Sequence, residues 1–251
     1  MRTAGFKSRM ARGDKLIGTF VKIPEISVIE VLAHSGLDFL CLDAEHAAFD
    51  RARLDQCLAM ARALDMPALV RVPSATGPAI QQALDSGAIG VSVPHVTSAK
   101  MAEDIVRLSH FGAGGRGYAG ATRWAGFSTR PMAEVLDRDR ETVVIAQIED
   151  PAGVEAAADI AAVPGIDAIF AGPADLTVGL GLRRLGLPEL DAALDAIGEA
   201  ARQHNKTYAT WVPDLDHANS FANQGVSLFV VGSDQGMLRS GAAMAALRLQ
   251  P

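Results

Sequence analysis

Cysteine is scarce: the 251 residues hold two, Cys41 and Cys57. No disulfide framework can be built from them, and no histidine stands at metal-ligand spacing from either, so a zinc–thiolate centre is excluded. Both are expected to be core thiols of a protein from a reducing cytoplasm. Aromatic residues are 5% of the chain, the net charge is −6, and lysines and arginines form no run. A nucleic-acid partner is therefore not expected. No apolar stretch approaches the ~18 residues of a membrane span. The first residues, MRTAGFKSRM, lack the apolar segment of a secretory leader. These absences point to a cytoplasmic protein with no membrane partner.

What the chain has is alternation. Hydrophobic residues make up 49% of it, enough for a large core. Short apolar runs at 16–23, 39–43, 68–72, 89–94, 142–149, 168–172, 207–212 and 227–232 read as strands. Most are continuous rather than alternating, as parallel strands covered on both faces require. Helical patterns such as 51–64, 98–109 and 191–204 lie between them, and several helices stop at a glycine, as at Gly36 and Gly87. Eight strand–helix repeats in a chain of this length predict a single domain over 1–251 with the closed (β/α)8 TIM barrel. A doubly wound sheet, with fewer strands, is the alternative.

The one long irregular connection is 111–141. It opens with Gly112, Gly114 and Gly117, which spell the G-x-G-x-x-G of a dinucleotide turn. That turn needs a strand before the glycines and a helix after them. Here a helix precedes them and none follows, so a nucleotide site is not expected. Arg116, Arg123 and Trp124 are costly on an idle loop, and the segment is expected to bend over the strand ends or to contact another subunit.

Chemistry in such a barrel sits where strands end. Those ends carry Asp43, Glu45 and His46 after the second strand, Arg71 on the third, His95 after the fourth, Gln147 and Glu149 on the fifth, Asp175 after the sixth, and Ser233 and Asp234 after the eighth. Charges inside an apolar barrel are expensive unless paired or bound to a metal. Glu149 and Asp175 close neighbouring strands, and oxygen ligands of this kind suit a hard divalent cation. The competing reading is that each only caps the helix that follows it. Histidine titrates near neutrality, which fits His46 as a general base. Arg71 either pairs with Glu45 or Asp43 or steadies a developing oxyanion. His95 is assigned a structural or supporting role.

With DAEH at 43–46, Arg71, GGRG at 114–117, QIED at 147–150 and AGPADL at 171–176, the chain resembles the HpcH/HpaI aldolases, the class II metal-dependent pyruvate aldolases. The likeness extends over about residues 5–245. It implies reversible cleavage of 4-hydroxy-2-oxo acids to pyruvate or hydroxypyruvate and an aldehyde, through an enolate. It implies a divalent cation, Mg²⁺ foremost and Mn²⁺ or Co²⁺ besides, on Glu149 and Asp175. Gln147, Arg71 and the turn Gly172, Pro173, Ala174 and Asp175 would hold the 2-oxo acid. His46, Arg71, Asp43 and Asp85 form the implied catalytic set, with Asp85 raising the basicity of the histidine. Because Asp85 precedes the fourth strand, it belongs at the opposite end of its own barrel, so such a pair could meet only across a subunit interface. The resemblance also implies a homohexamer, a dimer of trimers that exchange C-terminal helices. Phe20, Trp211 and Val212 are expected to shape the aldehyde side. The rival chemistries are a Schiff-base aldolase using Lys22, the one lysine after a strand on the catalytic face, and an acyl-CoA ester lyase of the same superfamily.

Overall fold

The computed structural model describes residues 2–247. Eight parallel strands close into one barrel in sequence order, and β1 pairs with both β2 and β8. They are β1 (Leu16–Val21), β2 (Phe39–Asp43), β3 (Ala68–Arg71), β4 (Gly90–Val93), β5 (Val143–Ile148), β6 (Ala168–Ala171), β7 (Thr207–Val212) and β8 (Val226–Ser233). Every expected strand is present, within two residues of its expected limits. Helices α2 (Ile26–Ala33), α3 (Arg51–Ala63), α4 (Gly77–Asp85) and α5 (Ala99–Ser109) return the chain between the first strands, followed by α6 (Met132–Arg138) before β5. The second half uses α7 (Pro151–Glu155), α8 (Ala157–Ala162), α9 (Pro173–Gly179), α10 (Pro188–Gln203), α11 (Leu215–Ala222) and α12 (Asp234–Leu247). No helix among the described residues is long and apolar enough to cross a membrane.

Two cores result from the strand period of two. Outward-facing side chains such as Leu40, Val70, Val91 and Ile169 pack against the helices. Inward-facing ones such as Phe39, Leu69, Ile145 and Leu228 fill the barrel. Phe39 occupies so much of the interior that a Cβ on Gly18, its register partner, would lie 2.6 Å from its ring. The sequence reading has no helix before β1, but α1 (Phe6–Ala11) plugs the N-terminal end of the barrel with Phe6 and Met10. Lys7 ties that plug down through Asp167, at 3.0 Å. Both cysteines are buried and unpaired. Burial pushes the Cys41 thiol up to about 12 and the Cys57 thiol to about 11, as expected of inert core thiols.

The 111–141 segment corrects the sequence reading. It links the end of α5 to the start of β5, so it lies at the N-terminal end of the barrel and does not bend over the strands' C-terminal ends. Its contacts agree: the Trp124 N–H reaches the carbonyl of Asp85, and Arg123 pairs with Asp55 of α3 at 2.8 Å. Arg116 faces no substrate cavity. Its side chain is fully buried beside Asp85 and Asp139.

Candidate active site

The C-terminal ends of the strands open into a cavity of about 890 Å³. His46, Arg71, Gln147 and the run Gly172–Asp175 all line it, so most of the nominated residues share one space. Phe20, Trp211 and Lys22 also line it. Trp211 turns inward and donates through Nε1 to the carbonyl of Gly232 at 3.2 Å. Val212, one residue on, points the other way into the outer core and does not shape the cavity, contrary to expectation.

The anchor of the site is Asp43, fully buried at the end of β2. Arg71 grips it with both arms of its guanidinium, Nε to Oδ1 at 3.0 Å and Nη2 to Oδ2 at 2.7 Å. Lys22 Nζ lies 3.2 Å from Oδ2, and the His46 N–H donates to Oδ1 at 3.1 Å, which folds the DAEH loop back on the strand. Burial pushes the Asp43 carboxyl up. The hydrogen bonds and charge of Arg71, with the His46 N–H and Lys22, outweigh burial and hold the group below the usual carboxylate range. Arg71 also stacks over Phe20, 4.4 Å from the ring centre, which fixes the plane of the guanidinium. The arginine therefore pairs with Asp43, and its Nη1 is not spent on that pair.

Behind Gln147 and Gly172 lies Glu149, 2% exposed. It accepts from the His95 N–H at 2.9 Å and from Gln147 Nε2. Burial pushes its carboxyl up, with the Gln147 and His95 donors opposing. Ser92 orients Gln147 through its Oε1 at 3.2 Å. A Cβ at position 172 would stand 2.8 Å from both Cβ and Oε2 of Glu149, so only glycine lets β6 end this close to the carboxylate. Glu149 does not cap α7, which removes the competing reading for this residue. Asp175 stands exposed in the first turn of α9, whose N-cap position is Gly172.

The carboxylate–imidazole cluster in the described residues is Glu45, His95 and Glu149, whose ligand atoms lie within 4.8 Å of one another. Asp175 is not a member of it. His95 is held at a φ of 55° as its N–H turns to Glu149. Its Nδ1 meets Asp150 at 2.9 Å, and that bond raises the ring above the ordinary histidine value, with burial opposing and Glu149 and Glu45 adding. Glu45 Oε2 is buried without a hydrogen-bond partner. Arg71 Nε is 3.3 Å away, but its single N–H is directed at Asp43. An orphaned carboxylate oxygen, a buried carboxylate beside it and a glycine cradle suit a divalent cation with oxygen and imidazole ligands.

The sequence reading offered Glu45 only as a strand-end group that could pair with Arg71 and gave His95 only a structural or supporting role. The available signals were the two-residue spacing of Asp43 and Glu45 and the position of His95 directly after β4. Asp234 is structural, accepting the N–H groups of Lys22 and Ile23, whereas Ser233 lines the cavity while its hydroxyl accepts the N–H of Gly236. Asp85 ends α4 at the far end of the barrel and is not among the residues lining the cavity.

The sequence model of HpcH/HpaI aldolase/citrate lyase matches residues 16–241. The chain belongs to that family. Two similar proteins are the hydroxypyruvate/pyruvate aldolase of Paraburkholderia phytofirmans, 32% identical over 92% of each chain, and the 4-hydroxy-2-oxovalerate aldolase of Rhodococcus jostii, 35% identical over 97% of this chain and 95% of that one. A solved HpcH/HpaI aldolase/citrate lyase family protein from Burkholderia cenocepacia superposes with a TM-score of 0.94 at 30% identity, over 98% of this chain and 99% of that one. This family member is an enzyme, an aldehyde-lyase.

Proposed function

We propose that the chain reversibly cleaves 4-hydroxy-2-oxo acids to pyruvate or hydroxypyruvate plus an aldehyde, using a divalent cation held by Glu149 and Asp175. The observation that carries this reading is the gathering of His46, Arg71, Gln147 and Gly172–Asp175 around one cavity, with Glu149 behind it. Glu45 and His95 are the further groups that could join the ligand set. Bound there, Mg²⁺, Mn²⁺ or Co²⁺ would supply the Lewis acidity that makes the C3 proton of a 2-oxo acid removable. Gln147 and the run Gly172–Asp175 at the start of α9 hold the donor acid. Arg71 turns its unspent Nη1 donors toward the negative charge that develops on the enolate oxygen. His46 takes the C3 proton, and in the cleavage direction it takes the proton of the 4-hydroxyl. Phe20 and Trp211 bound the aldehyde.

Two further parts belong to this proposal. Asp85 of a neighbouring chain completes the site beside His46. The assembly is a hexamer of two trimers that exchange α12, whose Leu238 and Met244 are 67% and 61% exposed in the single chain. A fully active monomer would overturn both. Lys22 is ion-paired to Asp43, which favours the cation route over Schiff-base formation.

The test is turnover of pyruvate and hydroxypyruvate with a panel of aldehydes. Activity lost to EDTA, restored by Mg²⁺, Mn²⁺ or Co²⁺ and unaffected by borohydride is the expected result. Inactivation by borohydride in the presence of pyruvate, with EDTA harmless, assigns the chemistry to Lys22. Turnover confined to acyl-CoA esters assigns it to the ester-lyase branch.

A further inference from the structure

The opposite end of the barrel holds a second cavity, of about 710 Å³, which the chemistry above leaves unused. Its walls include Phe6 of the plug, Met66, Trp124 and three arginines, Arg62, Arg130 and Arg138. Arg62 Nη1 donates to the carbonyl of Arg123 at 2.7 Å, and Arg138 Nη1 donates to the carbonyl of Trp124 at 3.1 Å. Two consecutive carbonyls thus bring two guanidinium groups to one place. A guanidinium has five N–H donors, so each of these retains most of its own. The neighbouring cations have carboxylates, Asp55 for Arg123 and Glu134 for Arg130, whereas Arg62 and Arg138 have no ion pair among the described residues. Asp65, also on the wall, spends its oxygens on the N–H groups of Arg2 and Thr3. Trp124 is 4% exposed, and its Nε1 is buried with no partner. Burial and the other arginines both act against the charged forms of Arg62 and Arg138, and at Arg138 the carboxylates of Glu134 and of Glu141, also on the wall, oppose them.

We infer that this cavity binds a small organic anion, with a carboxylate or phosphate group between Arg62 and Arg138 and an apolar body against Phe6, Met66 and the Trp124 ring. Planar forks of this kind recognise both oxyanions. The site lies at the end of the barrel remote from His46 of the same chain, near the Asp85 end of α4, so its ligand is not the substrate held in that chain's own catalytic cavity.

The test uses the full-length enzyme with two probes, phenylacetate and phenyl phosphate, measured by calorimetry and thermal shift. At least one probe is expected to bind saturably, and which one binds identifies the anion. Arg62→Gln/Arg138→Gln is expected to weaken that binding at least tenfold while aldol turnover stays within about twofold. Arg71→Lys, which damages the catalytic cavity, should leave it intact. Arg138→Lys, which keeps the charge and loses the fork, supports the site through any binding loss if the double variant does not fold. The inference is overturned if neither probe binds, if binding survives the arginine variants, or if Arg71→Lys abolishes it. A change of oligomeric mass in the double variant, with no binding by the parent, also overturns it by assigning the cavity to a neighbouring copy.

Discussion

Arg71, at the C-terminal end of β3, and Arg116, in the loop before β5, are both buried cations stacked on aromatic rings, 4.4 Å over Phe20 and 3.9 Å over Phe111. Arg71 has a bidentate carboxylate partner in Asp43. Arg116 has none: Asp85 and Asp139 stand 3.9 and 3.7 Å away, and its Nε, Nη1 and Nη2 are buried without hydrogen bonds. Burial therefore lowers the Arg116 ionisation, while in Arg71 burial acts the same way and Asp43 overrides it. Arg71 thus finds its hydrogen-bonding carboxylate within its own chain, and Arg116 does not. That asymmetry is what an assembly would need in which Asp85 meets a neighbouring site.

The sharpest way to break the comparison is to remove both cations. Arg71→Met leaves the buried Asp43 carboxylate with only Lys22 and the His46 N–H, at a cost of about 3–5 kcal/mol, and lowers aldol turnover by about 10²–10³. Urea unfolding and steady-state rates measure these. Arg116→Met forfeits no hydrogen bond, so the same unfolding experiment should show a loss below about 1 kcal/mol. Equal losses would mean that the two environments do not differ as described.

Glu149→Gln comes next. Folding disfavours the charged form of Glu149, and that penalty is present at neutral pH. The metal-free variant should melt no lower than the parent at pH 7, while turnover falls by about 10³. Calorimetry with and without EDTA separates the two effects. Gly172→Ala drives a Cβ against Glu149, and is expected to cost about 1–3 kcal/mol and to raise KM for the 2-oxo acid.

The smallest effects concern pH. Asp43 is held below the ordinary carboxylate value, so its contribution to stability is complete above about pH 4 and is lost as pH falls further. Asp85 is shifted the other way: burial pushes it up, with Gln81 and Arg116 opposing, so folding is penalised as pH rises through the ordinary range. Asp43→Asn should flatten the acid limb of a melting-temperature profile. In the dissociated chain, Asp85→Asn should leave the limb in place and raise stability slightly near neutrality. A matching acid limb in both variants would erase the contrast.

Much of the fold was legible because its signals are local. Apolar runs of five to eight residues, most of them continuous and separated by helical patterns, mark every strand of the barrel. Chain order also showed that Asp85 lies far from His46. The same order places 111–141 at the N-terminal end, because it joins a helix to the next strand. The reading missed this by weighing the arginines and the tryptophan instead of the connection. Helix α1 escaped because six residues are too few to show a period.

The sequence by itself determined the barrel, the polar residues at its strand ends and the family. Those follow from periodicity and short motifs, which are properties of neighbouring residues. Only the tertiary structure decided the pairings: Arg71 on Asp43, His95 between Glu45 and Glu149, and Val212 turned away from the cavity beside Trp211. Partners on different strands compete for the same donors over a few ångströms, and strand register, with the close approach that Gly172 allows, settles which of them meet.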